Sequence, residues 1–200
     1  MSIGKLFVMS GPSGTGKGTI CKQLFKDRPN MISSVSMTTR EPREGEVEGV
    51  NYFFVSKEEF ENKIENNGLL EYARVFENYY GTPRKFVMDT LEKGNDVLLE
   101  IDVQGAMQVK EKYQDAIMVF IMPPSMEELK KRIVGRGTET EESIKRRLGE
   151  ALNEIHMADK YDYMVVNDDI KKAVSDVENI VDAVHLAMSE EKKIFIGEFK

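Results

Sequence analysis

The 200-residue chain holds one cysteine, Cys21, and two histidines, His156 and His185. A single cysteine excludes a disulfide framework within the chain, and Cys21 reads as a small residue on a helix face. Positive charge is also short: 28 Lys+Arg stand against 35 Asp+Glu, a formal net charge of −7 at pH 7. Broad, nonspecific nucleic-acid binding rests on an excess of cations facing phosphates, so that class is excluded. Local basic clusters can still bind small anions. No apolar run approaches the about 20 residues a membrane-spanning helix needs, and no signal peptide is read. The expectation is a cytoplasmic protein with no membrane or nucleic-acid partner. Internal repeats, low-complexity tracts and linkers are missing as well. What remains is ordinary for a globular chain, with 40% hydrophobic residues and a somewhat high 32% charged. The length suits one domain, or a core with an inserted lobe.

Strand and helix patterns alternate. Strands are predicted at 5–9, 32–36, 96–101, 116–122 and 163–166, and three of them are continuous apolar runs suited to a parallel sheet buried on both faces. Helices are predicted at 103–113, from Ser125-Met126-Glu127-Glu128 (a capping box) to about 136, at 141–158 and at 170–189. This alternation reads as an α/β three-layer fold. The stretch 36–94 breaks the rhythm, with short strand signals at 51–55 and 69–75 and clustered aromatics. A second capping box, Ser56-Lys57-Glu58-Glu59, opens a helix inside it. Thr82-Pro83 opens another, with proline at the first helical position and Gly94 beyond its end. We read this stretch as an inserted lobe. The glycine-hinged, charged run Gly135-Arg136-Gly137-Thr138-Glu139-Thr140 reads as part of a mobile lid.

The chemistry begins at Gly11-Pro12-Ser13-Gly14-Thr15-Gly16-Lys17-Gly18-Thr19. The run follows the apolar strand Leu6-Phe7-Val8-Met9 and leads into the helical spacing of Ile20, Leu24 and Phe25. Strand, glycine loop and helix together make a phosphate-binding P-loop. Glycines let successive N–H groups point at one anion, the helix adds its positive end, and Lys17 reaches the β- and γ-phosphates. The pattern G-x-x-x-x-G-K-[ST] places a Mg²⁺-binding hydroxyl after the lysine. Here that residue is Gly18, with Thr19 next, so no metal ligand is assigned directly. Mg²⁺ keeps several waters readily, and a water-bridged ion bound through the phosphates is expected.

Further along, Ser36-Met37-Thr38-Thr39-Arg40-Glu41-Pro42-Arg43-Glu44-Gly45-Glu46 is polar and loop-like. Two arginines three apart, with Tyr52 and Tyr80, offer planar forks and hydroxyl donors for a phosphate. A solvated loop with surface ion pairs has the same composition.

Several runs together resemble guanylate kinase. They are 11–16, 36–45, Gly49-Val50-Asn51-Tyr52-Phe53-Phe54, Tyr80-Gly81-Thr82-Pro83, Glu100-Ile101-Asp102-Val103-Gln104-Gly105-Ala106 and Gly135-Arg136-Gly137-Thr138-Glu139. They occur in the family's order and cover nearly the whole chain. The resemblance implies a three-layer P-loop NTPase fold with a parallel sheet core, a GMP-binding lobe and a lid. Its segments would be a core at 1–35, 95–134 and 155–200, a lobe at 36–94 and a lid at 135–154. It implies transfer of phosphate from ATP to GMP with Mg²⁺. By motif position, Ser36, Glu71, Thr82 and Asp102 would meet guanine, and Arg40, Arg43, Tyr52 and Tyr80 the GMP phosphate. Some family members carry serine where this chain has Thr82; the hydroxyl is kept. Arg132, Arg136 and Arg147 would close on the transferring phosphoryl group, and Asn167 would approach the adenine of ATP.

The chemistry is coherent on its own terms. Guanine presents N1–H and a 2-amino group side by side, and one carboxylate such as Glu71 accepts both. Adenine lacks that pair and would leave the carboxylate unmatched. Asp102, ending an apolar strand, could instead cap the next helix, or do both. A phosphate monoester acceptor, with a second pKa of about 6, needs no general base, so His156 and His185 read as helix-surface residues. Two other functions fit parts of the pattern: a noncatalytic guanylate-kinase-like protein-binding module, and a kinase for another nucleoside monophosphate. Retention of Lys17 and the three lid arginines argues against the first. The pairing of Glu71 with Asp102 argues against the second. Homo-oligomerisation stays open.

Overall fold

The computed structural model describes residues 3–135, 140–188 and 190–199. Five parallel strands form one sheet: β1 (Leu6–Ser10), β2 (Met31–Ser33), β7 (Asp96–Glu100), β8 (Ile117–Met122) and β9 (Tyr163–Val166), in the order β2-β7-β1-β8-β9. Alternation along β1 explains the layering. Leu6 and Val8 point to one face and Phe7 and Met9 to the other, as the two-residue period of a strand requires. On the first face lie α3 (Arg84–Glu92) and α4 (Val103–Lys112), through Val87, Leu91, Ala106 and Val109. On the second lie α1 (Lys17–Asp27) and α7 (Ile170–Leu186), through Ile20, Leu24, Val174, Val177 and Val181. Each such aliphatic side chain contributes about 1.5–3 kcal/mol on full burial. This is the expected α/β core.

A smaller sheet has the order β4-β3-β6-β5, built from β3 (Met37–Thr38), β4 (Phe53–Phe54), β5 (Leu69–Val75) and β6 (Asn78–Pro83). The helix α2 (Lys57–Glu65) covers it, with Phe60 against Met37 and Leu69. Ser56 caps α2 by accepting from the Glu59 N–H at 3.1 Å, as its capping box predicts. Pro83 differs from expectation. It closes β6 opposite Leu69 in extended conformation, and the helix begins one residue later at Arg84.

Beyond β8, α5 (Met126–Val134) and α6 (Glu141–Ile155) pack through Leu129, Ile133 and Ala151. The helix α6 stops short of the expected 158, and a separate 3-10 turn, Ala158–Lys160, follows. The tail forms α8 (Glu190–Gly197). No described helix is long and apolar enough to cross a membrane.

Candidate active site

The parallel sheet delivers its loops to one end. In such sheets ligands bind outside the carboxyl ends of the strands, where the order reverses. Here β1 sits centrally, so residues 11–16 leave the middle of that edge and enter α1. The backbone is committed to this shape. Gly11, Gly14 and Gly16 have φ of 135°, 94° and 89°, values that L side chains rarely adopt. A Cβ at Gly11 would also lie 2.3 Å from the Ile121 carbonyl oxygen. Thr15 is buried and donates its hydroxyl to the Pro12 carbonyl at 2.8 Å, closing the loop on itself. Asn167, just past β9 and 5% exposed, donates Nδ2 to the Thr15 carbonyl at 2.7 Å. That amide lies where a side chain on Gly16 would have to go. Asn167 thus braces the loop from behind.

Lys17 folds back over the loop, its ammonium donating to the Gly11 and Pro12 carbonyls. Burial lowers its pKa, and the carboxylates of Glu100, Glu154 and Asp102 oppose that shift. Glu100 ends β7 beside Met9 of β1 and faces Gly18: a Cβ there would meet its oxygens at 3.5 and 3.6 Å. Cys21 is buried with its sulfur 3.5 Å from that of Met9. Burial raises its thiol pKa far above the usual range, which leaves it inert as a nucleophile.

A second polar centre lies where β5, β6 and α4 meet. Glu71 is 7% exposed and accepts from the Thr82 hydroxyl at 2.6 Å. Burial raises its carboxyl pKa; the Thr82 bond pulls the other way and the Asp102 charge adds to the rise. Gly105 lets the carboxylate approach α4, since a Cβ there would lie 3.1 Å from Oε2. Asp102 caps α4, accepting from the Gly105 N–H at 2.8 Å. The structural role expected of Asp102 is therefore present, and its charge still reaches Glu71. Ser36 precedes β3, and its carbonyl accepts from the Phe53 N–H at 2.9 Å.

The 36–52 loop brings Arg40, Tyr52 and Tyr80 together. The Arg40 guanidinium lies 5.5 Å from the Tyr52 ring centroid and bonds Glu46 at 2.8 Å. The Tyr52 and Tyr80 rings meet nearly edge to face at 6.0 Å. Glu46 also accepts from the Arg43 N–H at 2.8 Å, and its bonds to Arg40 and Arg43 lower its pKa. The Arg43 residue itself is exposed.

Two of the three expected lid arginines are described. Arg132, on α5, bonds Glu128 at 3.1 Å and the Asn167 carbonyl at 3.1 Å. Arg147, on α6, reaches Ser13 of the P-loop at 2.7 Å. Arg136, with Gly137, Thr138 and Glu139, lies outside the described residues. Neither histidine joins the site. His156 is exposed, and His185 pairs with Asp96 at 2.7 Å at the opposite end of the sheet.

A family model described as guanylate kinase matches residues 3–184. The chain belongs to the guanylate kinase family. Its sequence is 53% identical over 197 residues to the guanylate kinase of Clostridioides difficile (strain 630), covering 98% of this chain and 96% of that protein. It is 58% identical over 183 residues to that of Clostridium tetani (strain Massachusetts / E88), covering 92% and 88%. Among solved structures, the guanylate kinase from Anaplasma phagocytophilum matches with a TM-score of 0.72 at 39% identity, over 94% of this chain and 89% of that one. Family membership makes the protein a nucleotide-binding transferase of the kinase class.

Within this guanylate kinase frame, three residues near the site, Glu100, Gln108 and Glu154, carry no role in the sequence pattern. Glu100 lies in the run 100–106, where the sequence gives it no role of its own. Glu154 and Gln108 sit on helices whose orientation only the packed structure provides, and nothing in their local sequence marks them.

Proposed function

We propose that the protein transfers the γ-phosphoryl group of ATP reversibly to GMP, giving ADP and GDP, within purine nucleotide metabolism. The observation that carries this reading is the pairing of two unlike polar centres: a P-loop made of backbone, and a buried carboxylate, Glu71, held by Thr82. The first suits any polyphosphate. The second suits a base with two adjacent donors.

In this reading Glu71 accepts guanine N1–H and the 2-amino group, with Ser36, Thr82 and Asp102 completing the edge. Arg40, Arg43, Tyr52 and Tyr80 hold the GMP phosphate. Residues 11–19 cradle the ATP phosphates, with Asn167 behind them. An oxygen of the GMP phosphate attacks the γ-phosphorus. The bond from that phosphorus to the β,γ-bridging oxygen breaks, and the electron pair leaves on ADP. The acceptor oxygen is already anionic near neutral pH, so no residue removes a proton. The obstacle is repulsion between anions. Lys17, Arg132, Arg136 and Arg147 offset that charge and align the groups in line.

The residue set fits a hydrated Mg²⁺. Gly18 offers no hydroxyl, and the Glu100 carboxylate faces it. Glu100 would hold the ion through water, and the ion, when bound, supplies further neutralisation of the phosphates. No cluster of three or more His, Cys, Asp or Glu side chains that could hold a metal occurs among the described residues. The segments 1–35, 95–134 and 155–200 would form the ATP-binding core, 36–94 the GMP-binding lobe, and 135–154 the arm carrying Arg136 and Arg147.

The test is phosphoryl transfer from ATP to GMP, AMP, UMP and dTMP with the purified protein. GMP should be preferred by roughly 10⁴–10⁵ in kcat/KM over AMP, the scale reached when an unmatched acceptor leaves buried polar groups unpaired. Equal use of AMP would remove Glu71 as the base reader. No transfer to any acceptor would return the protein to the noncatalytic reading.

A further inference from the structure

We propose that Gln108 is a positioning residue for base selection: it fixes the backbone beside Glu71 and so sets where the base-reading carboxylate stands. The inference rests on the reading of Glu71 given above. The strand β5 lies at the edge of its sheet, with β6 as its strand neighbour among the described residues. Its pairing with β6 shifts register between Leu69 and Tyr72, across the position of Glu71. An edge strand with a broken ladder has little of its own to hold a side chain in place.

The structure supplies a substitute for the missing strand. The Gln108 side-chain amide accepts from the Tyr72 N–H at 3.1 Å and donates to the Tyr72 carbonyl at 3.0 Å. A primary amide carries one donor and one acceptor face in the spacing of a peptide group, so it pairs both backbone groups of one residue as a neighbouring strand would. Two more contacts from α4 flank it. Gly105, three residues earlier, abuts Glu71 Oε2, and Lys112, four residues later, donates to the Leu69 carbonyl at 3.1 Å. Spacings of three and four place Gly105, Gln108 and Lys112 on one helix face. That face follows β5 from Leu69 to Tyr72, and Asp102 anchors its helix at the start. Glu71 is therefore fixed from three directions: Thr82 at the carboxylate, Gly105 beside it, and Gln108 through the adjoining backbone.

The prediction concerns a ratio. GMP offers two donors to Glu71, whereas IMP, which lacks the 2-amino group, offers one. A displaced carboxylate loses more with GMP, so the GMP/IMP ratio of kcat/KM falls. A loss of folded protein would scale both substrates equally and leave the ratio unchanged.

The experiment measures kcat/KM for GMP and IMP, and KM for ATP, in the full chain carrying Gln108→Met or Glu71→Gln. Gln108→Met keeps length and removes both hydrogen bonds. The ratio should fall roughly tenfold, within the about 10²-fold cost of an ångström-scale misplacement, with KM for ATP unchanged. An unchanged ratio in Gln108→Met, beside a fallen one in Glu71→Gln, overturns the role of Gln108 and leaves the reading of Glu71 standing. An unchanged ratio in both overturns both. If Gln108→Met does not fold, Gln108→Glu, which keeps the acceptor and loses the donor, is read by the same criterion.

Discussion

The P-loop and the arginine-bearing segments of this molecule are built in opposite ways. The P-loop is a finished object. Its glycines hold left-handed or otherwise restricted angles, Thr15 locks it from inside and Asn167 braces it from outside. The loop at 36–52 and the helices α5 and α6 present long arginine side chains, each with a protein partner. Arg40 is bonded to Glu46, Arg132 to Glu128 and Arg147 to Ser13. Backbone N–H groups cost nothing to hold in readiness once the turn is made. Ordering a guanidinium group costs side-chain entropy, and each of these three is ordered by a protein partner; in the proposed reading a phosphate takes that partner's place. One region is set by its backbone, and the other, in the proposed reading, exchanges partners.

The sharpest way to break the comparison is Lys17→Ala. Lys17 belongs to the finished region, and its charge is buried at a cost that lowers its pKa. Steady-state kcat should fall about 10²–10³-fold, the cost of deleting one electrostatic donor at the reacting group, with the melting temperature unreduced. Near-normal turnover would mean that the cradle acts by backbone alone. Arg40→Ala, in the exchanging region, should raise KM for GMP roughly tenfold to a hundredfold and leave KM for ATP unchanged. Equal effects on both substrates would erase the division between the regions.

Glu71→Gln sharpens the contrast, because the corner around Glu71 resembles the P-loop in being held by fixed contacts, the Thr82 hydroxyl on the carboxylate and Gly105 beside it. The loss in kcat/KM for GMP should be about 1–3 kcal/mol, the scale of a bidentate base contact. Its stability effect has the opposite sign. Burial raises the Glu71 pKa in the folded state, so between the unfolded and folded values the native protein holds the extra proton. Stability contributed by this group is then lost as pH rises through that window. Glu71→Gln removes the cost of a buried anion, and its melting temperature at neutral pH should equal or exceed that of the parent. A clear drop would show that the carboxylate charge is structural.

Much of this arrangement could be read from the chain, and the failures have physical causes. The core strands were legible because strands buried on both faces are continuous apolar runs, as in Phe7, Val8 and Met9. The P-loop was legible because its glycines perform a backbone task no other residue does. The strand β6 was not: in Asn78-Tyr79-Tyr80-Gly81-Thr82-Pro83 the turn formers Asn78, Gly81 and Pro83 interrupt the strand-favouring Tyr79, Tyr80 and Thr82, and pairing with β3 and β5 holds it extended. For the same reason Pro83 ends a strand, and the expected helix opens one residue later with Pro83 as its N-cap. Gln108 and Glu154 were invisible because tertiary packing alone places them against β5 and Lys17.

Smaller effects test the brace and the departure at Gly18. Asn167→Ala should destabilise by about 1–3 kcal/mol, since the buried Thr15 carbonyl loses its donor, and should raise KM for ATP. A change in KM for GMP alone would contradict its place behind the P-loop. Gly18→Ser should be nearly silent in activity assays across Mg²⁺ concentrations. A Cβ there meets Glu100 only at ordinary contact distance, so a variant inactive at every Mg²⁺ level would exclude the water-bridged arrangement.

The proposed contrast between a fixed base-reading corner and a phosphate grip that exchanges partners is tested most directly by a crystal structure with GMP bound. The account predicts guanine N1–H and the 2-amino group on Glu71, with the Thr82, Gly105 and Gln108 contacts kept. It also predicts the Arg40–Glu46 bond replaced by a bond from Arg40 to phosphate. A guanine base bound away from Glu71, or a phosphate bound with Arg40 still on Glu46, would contradict it.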